Sequence, residues 1–338
     1  MLPDKNREDT IMDGRVSRWM SAAAALAATA SLTAMPLAGA EDYPVRPVRI
    51  IVGFTAGSSG DVAARVLAQQ LGARFGQQFV IENRTGAGSN IAANYVAHAS
   101  KDGYTLLQGS AANTIAAATM SNLNFDLVKD FAPVALYTTL PNIVVVHPST
   151  GATSIADLIA IAQAKPGELS FGSAGVGSGS HFTGELFNVM AGVKLLHIPY
   201  GGSAQVMSDL LAGRVQVMFS PASTVLPHVN EGRLTALAST GLQRAGAAPG
   251  LPTVSESGVP GFDTSTWFGL LAPAGVPRDV IERLAHATNA AAKSPDVVAA
   301  LRPLGYDMAD GSPEAFAAFI RADVEKWSRV ATATGLKR

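Results

Sequence analysis

A two-lobed α/β fold, each lobe a mostly parallel sheet flanked by helices with a cleft between them, is what the chain predicts. From residue 43 onward, short β-branched runs alternate with amphipathic helical stretches, the pattern of strand–helix–strand units in a parallel sheet. Two apolar crossings, Asn142–His147 and Thr266–Ala272, lie between these stretches. A chain that builds part of one lobe, leaves to build a second and then returns needs two such crossings. Its 338 residues suffice for about two domains with separate cores. The expected division is a leader over 1–40, lobe one over 41–143, lobe two over 144–265, and a return to lobe one over 266–338. The alternative packs every strand into a single sheet.

The leader is set aside first. Arg15 and Arg18 precede an uncharged, Ala- and Leu-rich run from Trp19 to Leu37 that closes on Ala38-Gly39-Ala40. A basic segment, an apolar segment and a small-residue site together form a secretory signal. The run is long enough for a membrane anchor to compete as a reading. Ser31, Thr33, Pro36 and the many alanines weaken an anchor, and the Ala-Gly-Ala site favours cleavage near Ala40. Met12 is an alternative start to Met1. Removing 1–40 takes away four basic and four acidic residues, so the net charge stays at −1.

Val48–Phe54 reads as a buried strand, followed by a helical stripe over Asp61–Phe75 with Val62, Val66, Leu67, Leu71 and Phe75 on one face. Phe79–Arg84 and Thr105–Gly109 are further strands around a helix over Asn90–Ala99. Ser154-Ile-Ala-Asp157 is a capping box with Asp in place of Glu or Gln, opening a helix that stops near Lys165-Pro166-Gly167. Strands over Leu169–Ala174, Leu195–Tyr200, Val215–Ser220 and Leu234–Thr240 alternate with helices over His181–Ala191, from Ser203 to Gly213, and around Thr224–Glu231. The last third is mainly helical, over Pro277–Lys293 and Pro313–Ala333, the latter with a Ser312-Pro313 start.

Function classes fall away in turn. There is no cysteine, hence no disulfide, thiolate nucleophile or Cys-based metal site. His98, His147, His181, His197, His228 and His286 show no H-x-x-x-H spacing, so no metal site and no cofactor are expected. No clustered basic charge marks a nucleic-acid surface. No loop carries the P-loop pattern, and Gly86-Ala-Gly88 lacks a small residue at Ile91 for a dinucleotide fingerprint. No serine sits in G-x-S-x-G. His181 lies beside Ser178 and Ser180, but residues this close at a helix start point in different directions, so no catalytic residue is assigned.

What remains is a set of small-residue loops after strands. They run from Phe54 through Thr55, Ala56, Gly57, Ser58, Ser59 and Gly60 to Asp61; over Gln108–Asn113 with Ser110 and Ala111; over Ser173–His181 with Gly175, Gly177 and Ser178; and over Tyr200–Ser203 with Gly201. A fifth, Arg84–Asn90, follows the second strand. Open α/β sheets bind ligands at the carboxyl ends of their strands. Small side chains let an anion approach backbone N–H groups at a helix N-terminus. Each loop alone reads equally as a tight turn; several in register across two lobes read as a site for an anion.

At these loops the sequence resembles the Bug-type solute-binding receptors of tripartite tricarboxylate transporters. The resemblance runs over about residues 43–335 and is carried by YPVRPVRIIVGFTAG, VIENRTGAGSNIAA, DGYTLLQGS, VKDFAPVAL, GSAGVGSGSHFTGELF, HIPYGGSAQVMSDLLAGRVQVMF, LPTVSESGVPGF and WFGLLAPAGVP. It implies a type II periplasmic-binding-protein fold that closes over a small carboxylate (a dicarboxylate, tricarboxylate or aromatic acid) in the periplasm. It also implies a monomer that delivers its ligand to a two-component membrane permease; presentation to a membrane sensor kinase is the alternative. By position, Thr55–Asp61 and Ser173–His181 pinch the carboxylate, and Gly109–Asn113 and Tyr200–Ser203 complete the cleft. Four residues depart from the family's pattern. Gly53, Thr55 and Ser58 replace Pro, Pro and Gly of the first loop; the loss of two prolines points to a less rigid loop. Ser220 stands where Asp is common, which points to a ligand without an essential amine.

Overall fold

The computed structural model describes residues 43–176 and 178–336; the expected leader and Gly177 lie outside them. From Pro44 on, the chain forms one compact unit built on two sheets.

In the first sheet β1 (Val48–Val52) lies between β2 (Phe79–Asn83) and β3 (Thr105–Ser110), all parallel, with Val48 opposite Phe79 and Arg49 opposite Thr105. β4 (Phe131–Leu140) belongs to the same sheet, which the chain then leaves through Pro141 for the second. There β5 (Asn142–Val146), β6 (Ser170–Ser173), β7 (Leu196–Pro199), β8 (Val217–Pro221) and β9 (Thr235–Ser239) stand in the order 7-6-8-5-9. β10 (Thr266–Pro273) and β11 (Asp307–Met308) return to the first sheet, whose order is 11-4-10-3-1-2.

Both crossings are therefore strands, and the sheets are mixed. β10 runs antiparallel to β3 and β4, β11 is antiparallel to β4, and β5 is antiparallel to β8 and β9. A parallel neighbour needs a helical crossover over the sheet face. β5 follows straight from β4 through Pro141, with no such helix, and it runs against its neighbours.

The helices are α1 (Ser59–Phe75), α2 (Asn90–Ala97), α3 (Ala111–Thr119), α4 (Ile155–Ala164), α5 (Gly179–Ala191), α6 (Ser203–Leu211), α7 (Ala222–Asn230), α8 (Arg278–Ala292), α9 (Pro295–Leu301) and α10 (Pro313–Thr334). Ser58, Ser154, Ser178 and Ser312 cap α1, α4, α5 and α10, each hydroxyl accepting from the N–H three residues on. In the expected box at α4 the Ser154 half forms, but the Asp157 carboxylate reaches one residue further back, to the Thr153 N–H at 3.0 Å.

β4 and α3 had no expected element, and neither did α9 and β11 near the C-terminus. β4 contains Pro133, which sits opposite Leu271 beside a register shift, where a missing N–H is tolerated. α3 begins inside the small-residue loop Gln108–Asn113, and AANTIAAAT holds only one large apolar residue, Ile115.

Ile51, Leu107, Trp267, Leu271 and Phe316 pack in the first core; Phe171, Phe187, Phe219 and Phe262 pack in the second. Each fully buried side chain of this size contributes about 1.5–3 kcal/mol. α10 joins both bodies. Its Phe316 lies in the first core, whereas Trp327 sits in the second and meets the Phe182 ring edge-on at 5.6 Å. Between them, buried Asp323 accepts from Thr114 Oγ1 (2.6 Å) and Trp267 Nε1 (3.0 Å) and pairs with Lys326 (2.7 Å).

Candidate functional site

A cleft of about 930 Å³ opens where loops after β1, β2, β3 and β6 meet. Its first wall is the start of α1: Phe54, Ser58, Ser59 and Gly60 line it. Thr55, Ala56 and Gly57 are exposed and do not line the cavity. Asp61 is buried beneath them. Its carboxylate accepts from the Gly57 N–H (2.9 Å), Arg65 Nε (2.8 Å) and Asn83 Nδ2 (2.8 Å), and Asn83 Nδ2 also reaches Phe54 O (2.9 Å). Burial opposes ionisation of Asp61, yet these hydrogen bonds outweigh it and hold the pKa at about 2. Asp61 thus ties the loop to α1 and β2. Gly60 O accepts from Gln108 Nε2 (2.8 Å), whose Oε1 accepts from Tyr137 OH (2.7 Å), so α1 is also seated on β3.

The second wall is the start of α3. Ser110, Ala111 and Ala112 line the cleft, and the Asn113 side chain folds back to accept the Ser110 N–H at 3.0 Å. Asn90 Oδ1, on a residue of the cleft wall, is buried without a hydrogen-bond partner among the described residues, and the buried Ser110 Oγ has only the Asn113 N–H of the capping box facing it. A buried polar atom left this way is costly unless something else bonds it. Ala87 and Gly88 add a turn in which Ala87 (φ 47°) and Ser89 (φ 74°) adopt left-handed backbone, sparsely populated for residues with a Cβ and concentrated at ligand sites.

From the second sheet come Val176, Ser178, Gly179 and Phe182. Ser178 Oγ donates to Gly175 O (2.7 Å) and accepts from the His181 N–H (3.3 Å). Ser173 lies behind the wall; its Oγ is 2.6 Å from His197 Nε2 and accepts from the Gly175 N–H (3.2 Å). His181 is buried, its ring stacked on His197 at 3.9 Å. Burial first, and the His197 ring second, push its pKa down to about 4, so it is neutral near pH 7.

The remaining expected residues lie elsewhere. Tyr200 OH donates to Asp209 Oδ2 (2.9 Å), the Gly201 N–H donates to Gln205 Oε1 (3.0 Å), and Ser220 is buried within β8. None of the three lines the cleft. Sequence reasoning ended its fifth loop at Asn90 without assigning that residue to the site, and it assigned neither the turn Thr119–Asn122 nor Phe268 to it. On β10 neighbouring side chains face opposite ways: Phe268 lines the cleft, whereas Trp267 faces the Asp323 network on the other side.

Among the described residues lining this cleft there is no Asp, Glu, Lys, Arg or His. Its polarity comes from the N-termini of α1, α3 and α5 with Ser58, Ser59, Ser110 and Ser178; its apolar surface comes from Phe54, Ile115, Met120, Phe182 and Phe268. Exposed N–H groups and the helix dipole favour a negative group.

Residues 63–336 match the family described as the tripartite tricarboxylate transporter family receptor, TctC. The chain is 38% identical over 314 residues to the UPF0065 protein in the tcbD-tcbE intergenic region of Pseudomonas sp. strain P51, covering 93% of each. Among solved structures, R. palustris Rpa4515 with adipate shares 37% identity at a TM-score of 0.71 over 87% of this chain and 99% of that one. MatC from Rhodopseudomonas palustris with bound malate shares 30% at 0.69, over 85% and 99%. The fold is that of a type II periplasmic binding protein. The chain belongs to the tripartite tricarboxylate transporter receptor family, as a periplasmic carboxylate-binding receptor of the Bug type and not an enzyme.

Proposed function

We propose that the cleft takes a carboxylate with an apolar body and no amine, a medium-length dicarboxylate or an aromatic acid, and hands it to a two-protein membrane permease. One observation carries this reading: a cavity bordered by three helix N-termini and five large apolar side chains, with no ionisable group among the described residues that line it. A carboxylate gains the N–H and hydroxyl donors; an ammonium group finds no acidic partner. Ser58, Ser59, Ser110, Ala111 and Ser178 are the residues this reading assigns to the carboxylate. Adipate and malate in the two R. palustris relatives support the ligand class, and the apolar lining favours the adipate-like end. Closure turns the lobe over 144–265 against those over 41–143 and 266–338, at Pro141 and at the start of β10, and the closed form is what the permease reads. Export by the leader belongs to the same reading, with a mature N-terminus near Glu41.

The test is a thermal-shift panel of adipate, longer and shorter dicarboxylates, citrate, benzoate-type acids, amino acids and nicotinamide. Ligand at 100 times Kd adds about 2.7 kcal/mol, a rise of several degrees for a chain of this size. We expect adipate-like or aromatic acids to raise Tm. A response confined to amino acids or nicotinamide sinks the proposal.

A further inference from the structure

Among the described residues, one group of three metal-ligating side chains forms: His181, Glu185 and His197, with one ligand atom of each within 4.8 Å of the others. It is absent from the H-x-x-x-H pattern because its third member comes from another element. His181 and Glu185 are one turn apart on α5 and share a face, with His181 Nε2 3.7 Å from Glu185 Oε1. His197 stands on β7 opposite Phe171 of β6. Gly184 lets α5 sit this close, since a Cβ there would overlap the Phe171 ring. The result is a stack of Phe171, His197 and His181, with ring centroids 4.9 and 3.9 Å apart.

Packing alone does not account for the residue types. An apolar stack is made as well by two hydrocarbon side chains, without a carboxylate beside it. Glu185 is only 17% exposed; the Asn188 side chain hydrogen-bonds it, but no Lys or Arg pairs with it among the described residues. A half-buried carboxylate without a cation is costly. Ser173 Oγ at 2.6 Å from His197 Nε2 orients that ring through one nitrogen and leaves the other, the arrangement that outer partners give to metal-bound histidines. We propose that His181, Glu185 and His197 form a site for one divalent transition-metal ion of the Zn²⁺ class, in the second lobe behind the cleft. Two imidazoles and one carboxylate with an open position suit Zn²⁺ and its neighbours better than Mg²⁺ or Ca²⁺. An ion lies in the plane of each imidazole it binds, so Zn–N and Zn–O distances of about 2.1 Å require the two rings to turn out of their parallel stack and converge with Glu185. A bound ion would lock α5, whose first turn lines the cleft, to β7.

The experiment titrates untagged, chelator-treated protein with Co²⁺, and then displaces it with Zn²⁺. We expect one Co²⁺ per chain, visible d–d bands of histidine coordination, loss of the bands on adding Zn²⁺, and a Zn²⁺-dependent rise in Tm that a chelator reverses. Glu185→Gln keeps the shape and His197→Phe keeps the ring stack. Each should weaken Co²⁺ binding at least about tenfold, the lower end of what even outer partners of a metal contribute, while both remain folded by circular dichroism. Absence of stoichiometric binding, or Co²⁺ bands that persist in both folded variants, overturns the proposal. Carboxylate binding is read separately on metal-free protein, so failure here leaves the ligand assignment standing, and the converse holds.

Discussion

Asp61 shows how a charged residue at a binding wall can act entirely through its neighbours. Its oxygens are taken up by Gly57, Arg65 and Asn83, so it shapes the donor loop instead of meeting an anion. Its folded pKa of about 2 lies below the ordinary carboxylate value. The stabilisation is therefore complete above the unfolded pKa of about 3.9 and is lost as pH falls through about 2. Asp61→Ala should cost about 2 kcal/mol at pH 7, mainly from buried donors left unpaired, and flatten the acid limb of a denaturation series between pH 5 and 2. An unchanged limb would remove Asp61 from this role. Ser110 should weigh more on binding than on stability. Its hydroxyl faces the Asn113 N–H as the cap of α3, so Ser110→Ala should cost the unliganded protein no more than about 1 kcal/mol. A hydrogen bond to a charged ligand contributes about 1.5–3 kcal/mol, so calorimetry should show roughly ten- to hundredfold weaker carboxylate binding. Loss of stability with intact affinity would make Ser110 structural.

Among the elements, the strand ends and helix starts carry the site, and their legibility varied for physical reasons. The loops after β1, β3 and β6 were readable, because glycine and serine cluster where a strand ends and a helix begins. Loops after β7 and β8 have the same look but line other surfaces. β7 is the edge of its sheet, and spatial order across a sheet is not written in local sequence. The wall supplied by Thr119–Asn122 was hidden with α3, whose one large apolar residue is Ile115. Gly53 was noticed only as a departure from proline, and the structure gives its reason. A Cβ there would overlap the Ser89 side chain and lie 2.5 Å from Ser89 Cα, so the end of β1 packs directly on the left-handed turn. Gly53→Ala should destabilise by about 2 kcal/mol, the usual cost of overpacking, read as a lower denaturation midpoint. A neutral result would mean the turn yields without cost.

At the scale of the molecule, the two sheets are joined by β4 running into β5, by the segment leading to β10, and by α10. The crossings were legible as apolar runs. Nothing in the amphipathic pattern of α10 told that Phe316 and Trp327 serve different cores. Asp323 sits where these connections meet, bonded to Thr114 and Trp267. Asp323→Ala leaves the buried Trp267 N–H without its acceptor, while the Thr114 hydroxyl keeps Ala111 O at 2.9 Å, and should cost about 2 kcal/mol in chemical denaturation; a loss under 1 kcal/mol would show the network relaxing at little cost. The central claim is that the uncharged cleft recognises carboxylates by helix N-termini and hydroxyls. Isothermal titration of wild-type protein with a series of dicarboxylates, aromatic acids and their amine-bearing analogues measures this most directly. The account predicts one-to-one binding of an amine-free carboxylate, weakened by Ser110→Ala; binding confined to amine-bearing ligands, or no binding by any carboxylate, would contradict it.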